Sequence, residues 1–386
     1  MRDRGRRQHL DTVLASARKT VPEDARRHNR ALLLRALHHG GPMSRAELAK
    51  LVGLTPATVS AVINDGLAGG LITELGVTRG NVGKPATVVG IRPEARLIAT
   101  LGLSEPEQFV GALVDLAGNV VARHTFPREG RVGSAAVDLV GQMAEELTSR
   151  ARTERPDAPL LGIGVATPGI VDATGTIRTA TRLDWHDVSL ARELESRTGV
   201  PVHVANDANA ATLAELTFGH QGLTDLLVVR VDQGVGAGVV LDGQLLRGSA
   251  AAAGEIGHVV VDPTGAPCTC GKRGCLETQI SGPSLAAQLT ATSGDDERAA
   301  ILARAGAALG AALAFVVSTL DVANLVFSGP PEVTSDAFRA GAAAAIEART
   351  MPEISERLTI RPSTFGTDDV TLGAAALVLD RELGIR

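Results

Sequence analysis

His258, Cys268, Cys270 and Cys275 form the sharpest chemical constellation in the chain. One imidazole and three thiolates supply the four ligands of a closed, tetrahedral structural zinc site, with no position left open for catalysis. Gly271 and Gly274 let the backbone fold tightly between the cysteines. A Cys268–Cys270 disulfide would be strained and would leave Cys275 over. A redox pair and a chance cluster of buried thiols are the other readings. A metal knuckle over residues 258–277 would pin down a loop too poor in apolar residues to order itself.

The elements that must carry this site read as α/β. Beyond Arg96 strands alternate with helices. Residues 111–125 read as a hairpin turning at 117–119, 134–152 as a helix, and 160–167 as a buried strand running into Pro168-Gly169. Residues 226–231 make another buried strand entering a glycine-rich turn. Ala-rich helices follow at about 283–290, 297–318, 334–349 and 371–382.

The N-terminal part reads differently. Residues 1–27 form a polar, Arg-rich tail with one helix around 10–17, and a domain spans 28–92. A helix over 31–37 is stopped by Gly40-Gly41-Pro42. Ser44 caps a second helix, with Glu47 placed for a capping box. Thr55 caps a third, with Pro56 at its first position, where a missing N–H costs nothing. Val59, Val62, Ile63 and Leu67 share one face of that helix, and Thr58, Ser60 and Asn64 lie on or near the other. Strands at 71–75 and 86–91 flank a glycine-rich tip holding Arg79, Asn81 and Lys84. Helices, turn and basic-tipped hairpin together read as a winged helix-turn-helix. Thr55, Thr58, Ser60 and Asn64 would approach bases, and Arg79 and Lys84 the backbone or minor groove. A three-helix module that contacts only protein is the alternative.

Charge supports the division. Residues 1–96 hold 16 Lys+Arg against 8 Asp+Glu, whereas the remainder holds 22 against 35. A basic front end on an acidic body suits a polyanion partner, although a solvated basic tail would look the same. There is no Tyr and one Trp, Trp185, so the core must be built from Val, Leu, Ile and Ala. No stretch reads as long and apolar enough to span a bilayer, and no signal peptide is apparent, so a cytoplasmic location is expected.

Gly254-Glu-Ile-Gly-His258, followed by Cys268-Thr-Cys-Gly-Lys-Arg-Gly-Cys-Leu-Glu277, closely resembles the signature of the ROK family of repressors and sugar kinases. Ala166-Thr-Pro-Gly-Ile-Val-Asp172, Val204-Ala-Asn-Asp-Ala-Asn-Ala210 and Gly234-Val-Gly-Ala-Gly238 add to the likeness, which covers about residues 97–380. The N-terminal domain resembles that of the family's repressor branch. The resemblance implies an actin-like (hexokinase-like) duplicated α/β domain over 97–386, with a sugar cleft between two lobes. It implies that Asp207 stands where the kinases place their base. Asn206, Glu255, His258 and Glu277 match the other sugar contacts, and Thr181 is a weaker match. Amide and carboxylate groups grip vicinal hydroxyls with paired hydrogen bonds. Read from the residues alone, Asn206 and Asp207 could equally cap a helix.

The same comparison argues against phosphoryl transfer, so no catalytic residue is expected. Where the kinases carry a phosphate-cradling D-x-G-G-T loop, the chain reads Leu103-Ser-Glu-Pro-Glu107. Pro106 removes a backbone donor, and the two glutamates would repel a polyanion. The second phosphate loop reads Asp232-Gln-Gly-Val-Gly236, and the adenosine-side double glycine Ser328-Gly329-Pro330-Pro331. The expectation is a DNA-binding regulator of carbohydrate metabolism genes. Structural Zn2+, operator DNA, a small sugar effector and a homodimer or homotetramer are expected with it, and no membrane. A sugar kinase carrying an added DNA-binding domain is the alternative.

Overall fold

The computed structural model describes residues 22–78, 86–219 and 223–386. The chain divides into two compact units, Met1–Arg92 with Leu383–Ile385, and Pro93–Glu382 with Arg386.

In the first unit, α1 (Pro22–Gly40), β1 (Met43–Ser44), α2 (Arg45–Val52), α3 (Pro56–Ala68), β2 (Ile72–Thr78) and β3 (Ala86–Ile91) follow in order. Helix α1 starts within the stretch read as a tail: Pro22 with Glu23 and Asp24 is a helix-starting run, a proline and acids in the first turn. The capping box at Ser44 is complete, with Glu47 N 3.3 Å from Ser44 Oγ and Ser44 N 2.7 Å from Glu47 Oε2. Thr55 caps α3 through Thr58 N. Leu33, Leu34, Leu37, Leu48, Val59 and Ile63 are all buried. Strand β3 lies between β1 and β2, both antiparallel to it; β1 was not foreseen, because two residues carry no periodicity. The helix expected at 10–17, and Arg79, Asn81 and Lys84, lie outside the described residues.

The second unit holds two five-stranded sheets. The first comprises β4 (Leu97–Gly102), β5 (Gln108–Asp115), β6 (Val120–Pro127), β7 (Leu160–Thr167) and, after the small sheet β8 (Ile170–Val171), β9 (Ile177–Ala180) and β10 (Trp185–Val188), β11 (Val202–Asn206). Helices α4 (Gly133–Glu154) and α5 (Leu190–Thr198) pack on it, and α6 (Asp207–Phe218) leaves β11 directly. The second sheet comprises β12 (Leu226–Val231), β13 (Val235–Leu241), β14 (Gln244–Leu245), β15 (Asn324–Ser328) and β16 (Thr359–Pro362). The spatial orders are β11-β7-β4-β5-β6 and β14-β13-β12-β15-β16. In each sheet the first three strands are antiparallel neighbours and the last two add in parallel. Both sheets therefore share one topology, the duplication of the actin-like fold.

Helices α7 (Glu277–Ile280), α8 (Gly282–Thr290), α9 (Asp295–Leu320), α10 (Asp336–Glu347) and α11 (Pro352–Ser355) belong to the second half, and α12 (Asp369–Leu383) ends the chain. Small residues let the layers approach. A Cβ at Gly164 would stand 2.0 Å from Ala374 O, and one at Gly373 1.9 Å from Ala210 O.

Helix α9 corrects one expectation. It is 26 residues long with a window hydropathy of 2.0, long and apolar enough to cross a bilayer by composition. Half of that window is buried within the protein, where Leu309, Leu313 and Val317 join the core with Phe327 and Phe338. Its alanines and glycines register as apolar, but they serve close helix packing: a Cβ at Gly306 or Gly310 would strike backbone oxygens of α10.

Candidate functional site

The candidate cleft is a cavity of about 370 Å³ in the second unit, lined from both halves of the duplicated fold. Thr181, Asn206, Asp207, Glu255, His258 and Glu277, the whole set that the family resemblance singled out, line this one cavity.

Strand β11 ends at Asn206 and α6 begins at Asp207, so the junction aims both side chains into the cleft. Asn206 does cap the helix: its Oδ1 accepts from Ala208 N (2.9 Å) and Asn209 N (3.2 Å), while its Nδ2 donates to Gly169 O (2.9 Å). Asn206 thus caps the helix and also lines the cavity, with its amide already committed to protein. Asp207 accepts from Ser104 Oγ (3.0 Å) and from Ala208 N (2.8 Å). Burial raises its pKa, opposed by Arg230, Ser104 and the Ala208 amide.

Glu255 faces both other acids. Burial first, then Asp207 and Glu277, push its pKa up to about 7. Glu277 opens α7 and accepts from Val235 N at 3.0 Å. Arg182 reaches the same carboxylate at 3.9 Å and donates to Gln233 O.

The knuckle closes one side. Ligand atoms of His258, Cys268, Cys270 and Cys275 lie within 4.8 Å of one another, which fits a single metal ion. His258 Nδ1 faces Cys268 Sγ at 3.4 Å, and its Nε2 faces Glu255 Oε2 at 3.9 Å. A metal held through Nδ1 would leave the other ring nitrogen toward a carboxylate, the usual outer-shell arrangement. Gly274 is required here: its φ is +66°, and a Cβ would lie 1.4 Å from Asp262 O. Burial pushes the Cys275 thiol up to about 12, whereas the Lys272 amide lowers Cys270. A bound dication would draw all three into the thiolate form.

The opposite end joins Asp232 and Ser328, from the loops singled out in the sequence, to two residues that sequence reasoning did not name, Arg230 and Asp369. Arg230, on the cleft-facing side of β12, pairs with Asp369 Oδ2 at 2.8 Å through Nη1 and with Asp232 through Nη2. Ser328 Oγ also donates to Asp369. Burial opposes the charge of Arg230, but Asp369, Asp207, Asp232 and Glu105 keep it protonated. The available signal was a single charge inside the apolar run Leu226-Leu-Val-Val-Arg-Val231. The two loops expected at the phosphate end are the turns after the first strand of each sheet, β4 to β5 and β12 to β13. Glu105 stands in one and Asp232 in the other.

On the first unit, Thr55 and Asn64 are exposed and Thr58 and Ser60 half-buried on α3. Thr55 Oγ1 and Thr58 Oγ1 are 2.9 Å apart, so these two hydroxyls first serve the cap.

Two matching α/β halves around an acidic cleft, with a His/Cys₃ cluster at its wall, define a protein of the actin-like sugar-kinase class. Within it, the chain belongs to the ROK family, whose profile matches residues 106–381. It is 30% identical over 382 residues to the DNA-binding transcriptional repressor Mlc of Escherichia coli K12, covering 91% of this chain and 93% of Mlc. A glucokinase of Halalkalibacterium halodurans is also 30% identical, over 304 residues that cover 70% of this chain and 92% of the kinase. Among solved structures, a ROK-family transcriptional regulator homologous to E. coli Mlc aligns with a TM-score of 0.80 at 23% identity, over 94% of this chain and 98% of its own.

Proposed function

We propose that this protein is a transcriptional repressor of carbohydrate genes, acting in the cytoplasm as a homo-oligomer and released from operator DNA by a sugar in the cleft. Two kinds of likeness support the reading. Repressors such as Mlc match it across nearly the whole chain, whereas the glucokinase matches 70% of it. The observation that carries the assignment against a kinase is the Arg230–Asp232–Asp369 network at the end of the cleft where phosphate would be handled. Phosphoryl transfer depends on donors and cations aimed at phosphate oxygens. Here the Arg230 guanidinium is already paired with two carboxylates.

In this reading Asp207, Glu255 and Glu277 accept from sugar hydroxyls, and Asn206, Thr181 and His258 complete the ring of contacts. Zn2+ in the His258/Cys268/Cys270/Cys275 cluster is structural: it fixes His258, and with it one wall of the cleft. Helix α3, with Thr55 at its cap and Thr58, Ser60 and Asn64 along it, enters the major groove. Arg79 and Lys84 contact the DNA backbone. Sugar shifts the protein toward its weaker DNA-binding form only by its differential affinity for the two forms.

The test is a titration of the purified protein against DNA from upstream of its own gene, with and without a panel of free sugars. Salt-sensitive binding that one sugar weakens supports the proposal. Absence of DNA binding, with a sugar phosphorylated on addition of ATP, overturns it in favour of the kinase.

A further inference from the structure

Arg182 crosses the cleft. Its backbone belongs to the first half, on the turn Thr181–Leu183 between β9 and β10. That base is fixed: Arg128 Nη2 donates to Arg182 O at 2.9 Å, and Leu183 and Trp185 are buried in the core of the first sheet. Its side chain reaches the second half. There Nη2 donates to Gln233 O, in the turn between β12 and β13, and lies 3.9 Å from Glu277 Oε1. Gly234 leaves room for this meeting, since a Cβ there would stand 2.8 Å from Glu277 Oε2 and 3.8 Å from Arg182 Nη2. Two arginines line the cavity, and they differ. Arg230 is buried and paired with two carboxylates. The Arg182 side chain is 36% exposed, and its Nε and Nη1 have no hydrogen-bond partner among the described residues.

The rest of the wall is short of such donors. A sugar hydroxyl both donates a hydrogen bond and accepts others. Ionised Asp207, Glu255 and Glu277 only accept, and the Asn206 amide is taken by Gly169 O and two backbone N–H groups. Glu277 Oε2 accepts from Val235 N at 3.0 Å, so Oε1, beside Arg182, is the oxygen left for a ligand. A hydroxyl placed at Oε1 gives its proton to the carboxylate and turns its lone pairs toward the adjacent guanidinium. Hydrogen bonds to charged partners on both sides are the strong kind.

We propose that Arg182 is a ligand-binding residue of this cleft: its guanidinium donates to the sugar hydroxyl that Glu277 Oε1 accepts from, and its bond to Gln233 O straps the two halves together over the sugar. This rests on the reading of the cleft as a sugar site. The contact starts in the first half and ends in the second, so its loss acts mainly on how fast the sugar leaves. The strap itself is testable without knowing the sugar.

The chain supplies its own probe: Trp185, the single tryptophan in a chain without tyrosine, stands close to Arg182 in sequence. Full-length, metal-loaded wild type, Arg182→Leu and Arg182→Lys are mixed with free glucose, xylose and N-acetylglucosamine. Calorimetry gives affinity, and stopped-flow Trp185 fluorescence gives the two rates. Hydrogen exchange over residues 232–236, without sugar, reports on the strap. Arg182 is exposed, so both variants should melt with wild type. For whichever sugar binds, Arg182→Leu should weaken affinity about tenfold, most of it as faster dissociation. Arg182→Lys, which keeps the charge, should recover part of that loss. Exchange over 232–236 should be faster in Arg182→Leu than in wild type. Undiminished sugar affinity in R182L overturns the proposal, and so does a loss carried by the association rate alone. If none of the three sugars binds, faster exchange leaves the strap standing while the sugar reading fails, and unchanged exchange removes both.

Discussion

Asp207 shows how a single residue can serve a site at the expense of the fold. Its carboxylate is buried, and burial raises its pKa against the pull of Arg230 and Ser104. An acid whose folded pKa lies above its unfolded one stabilises the fold below the ordinary carboxylate range, and that contribution is lost as pH rises through the raised value. Asp207→Asn should therefore raise the melting temperature at neutral pH and lose this advantage only below pH ~3, where wild type is protonated in both states. Equal melting curves at neutral pH would show that Arg230 fully offsets the burial. Asp207→Ala should abolish the sugar response in a DNA-release assay while leaving operator binding intact. A response that survives would remove Asp207 from the sugar set. At the knuckle, Cys268→Ser should lose stoichiometric metal by elemental analysis and lower the melting temperature; retained metal would mean that Cys268 is no ligand.

At the scale of elements, local chemistry was read well where the side chains carry a cap or a period. Ser44 and Glu47 form the box their spacing predicted, and Thr55-Pro56 starts α3. Ser44→Ala should cost about 1 kcal/mol of stability in the N-terminal unit, measured by denaturant unfolding. Helix α9 shows the opposite case. Its composition satisfies the test for a membrane span, yet its glycines are contact points for α10. Gly310→Val would drive a side chain into Ala342 O, and should destabilise the second unit by at least ~2 kcal/mol. A neutral result would show that the helix pair can spread at no cost.

For the whole molecule, a basic N-terminal unit is joined to an acidic cleft-bearing one, and the division of charge anticipates two different partners. Arg79→Ala or Lys84→Ala should weaken DNA binding across sequences and reduce the salt slope by about 1. An unchanged slope would take that residue off the phosphate backbone. Neither change should alter sugar affinity in the absence of DNA.

By itself the sequence determined the parts that depend on residue type at short range. These are the metal-ligand spacing, the helix caps, the strands at 160–167 and 226–231, and the motif string that placed Asn206, Asp207, Glu255, His258 and Glu277 in one family. Tertiary structure alone decided what depends on residues far apart in the chain. Arg230 meets Asp369 across 139 positions, and Ser104 meets Asp207 across 103. No local pattern encodes such pairs, because they form only when the two sheets and the α6 and α12 starts converge. The fate of Asn206, at once helix cap and cleft wall, was also settled there. A side chain at the end of a strand has its direction fixed by the strand, but its partners are fixed by whatever the rest of the fold brings beside it.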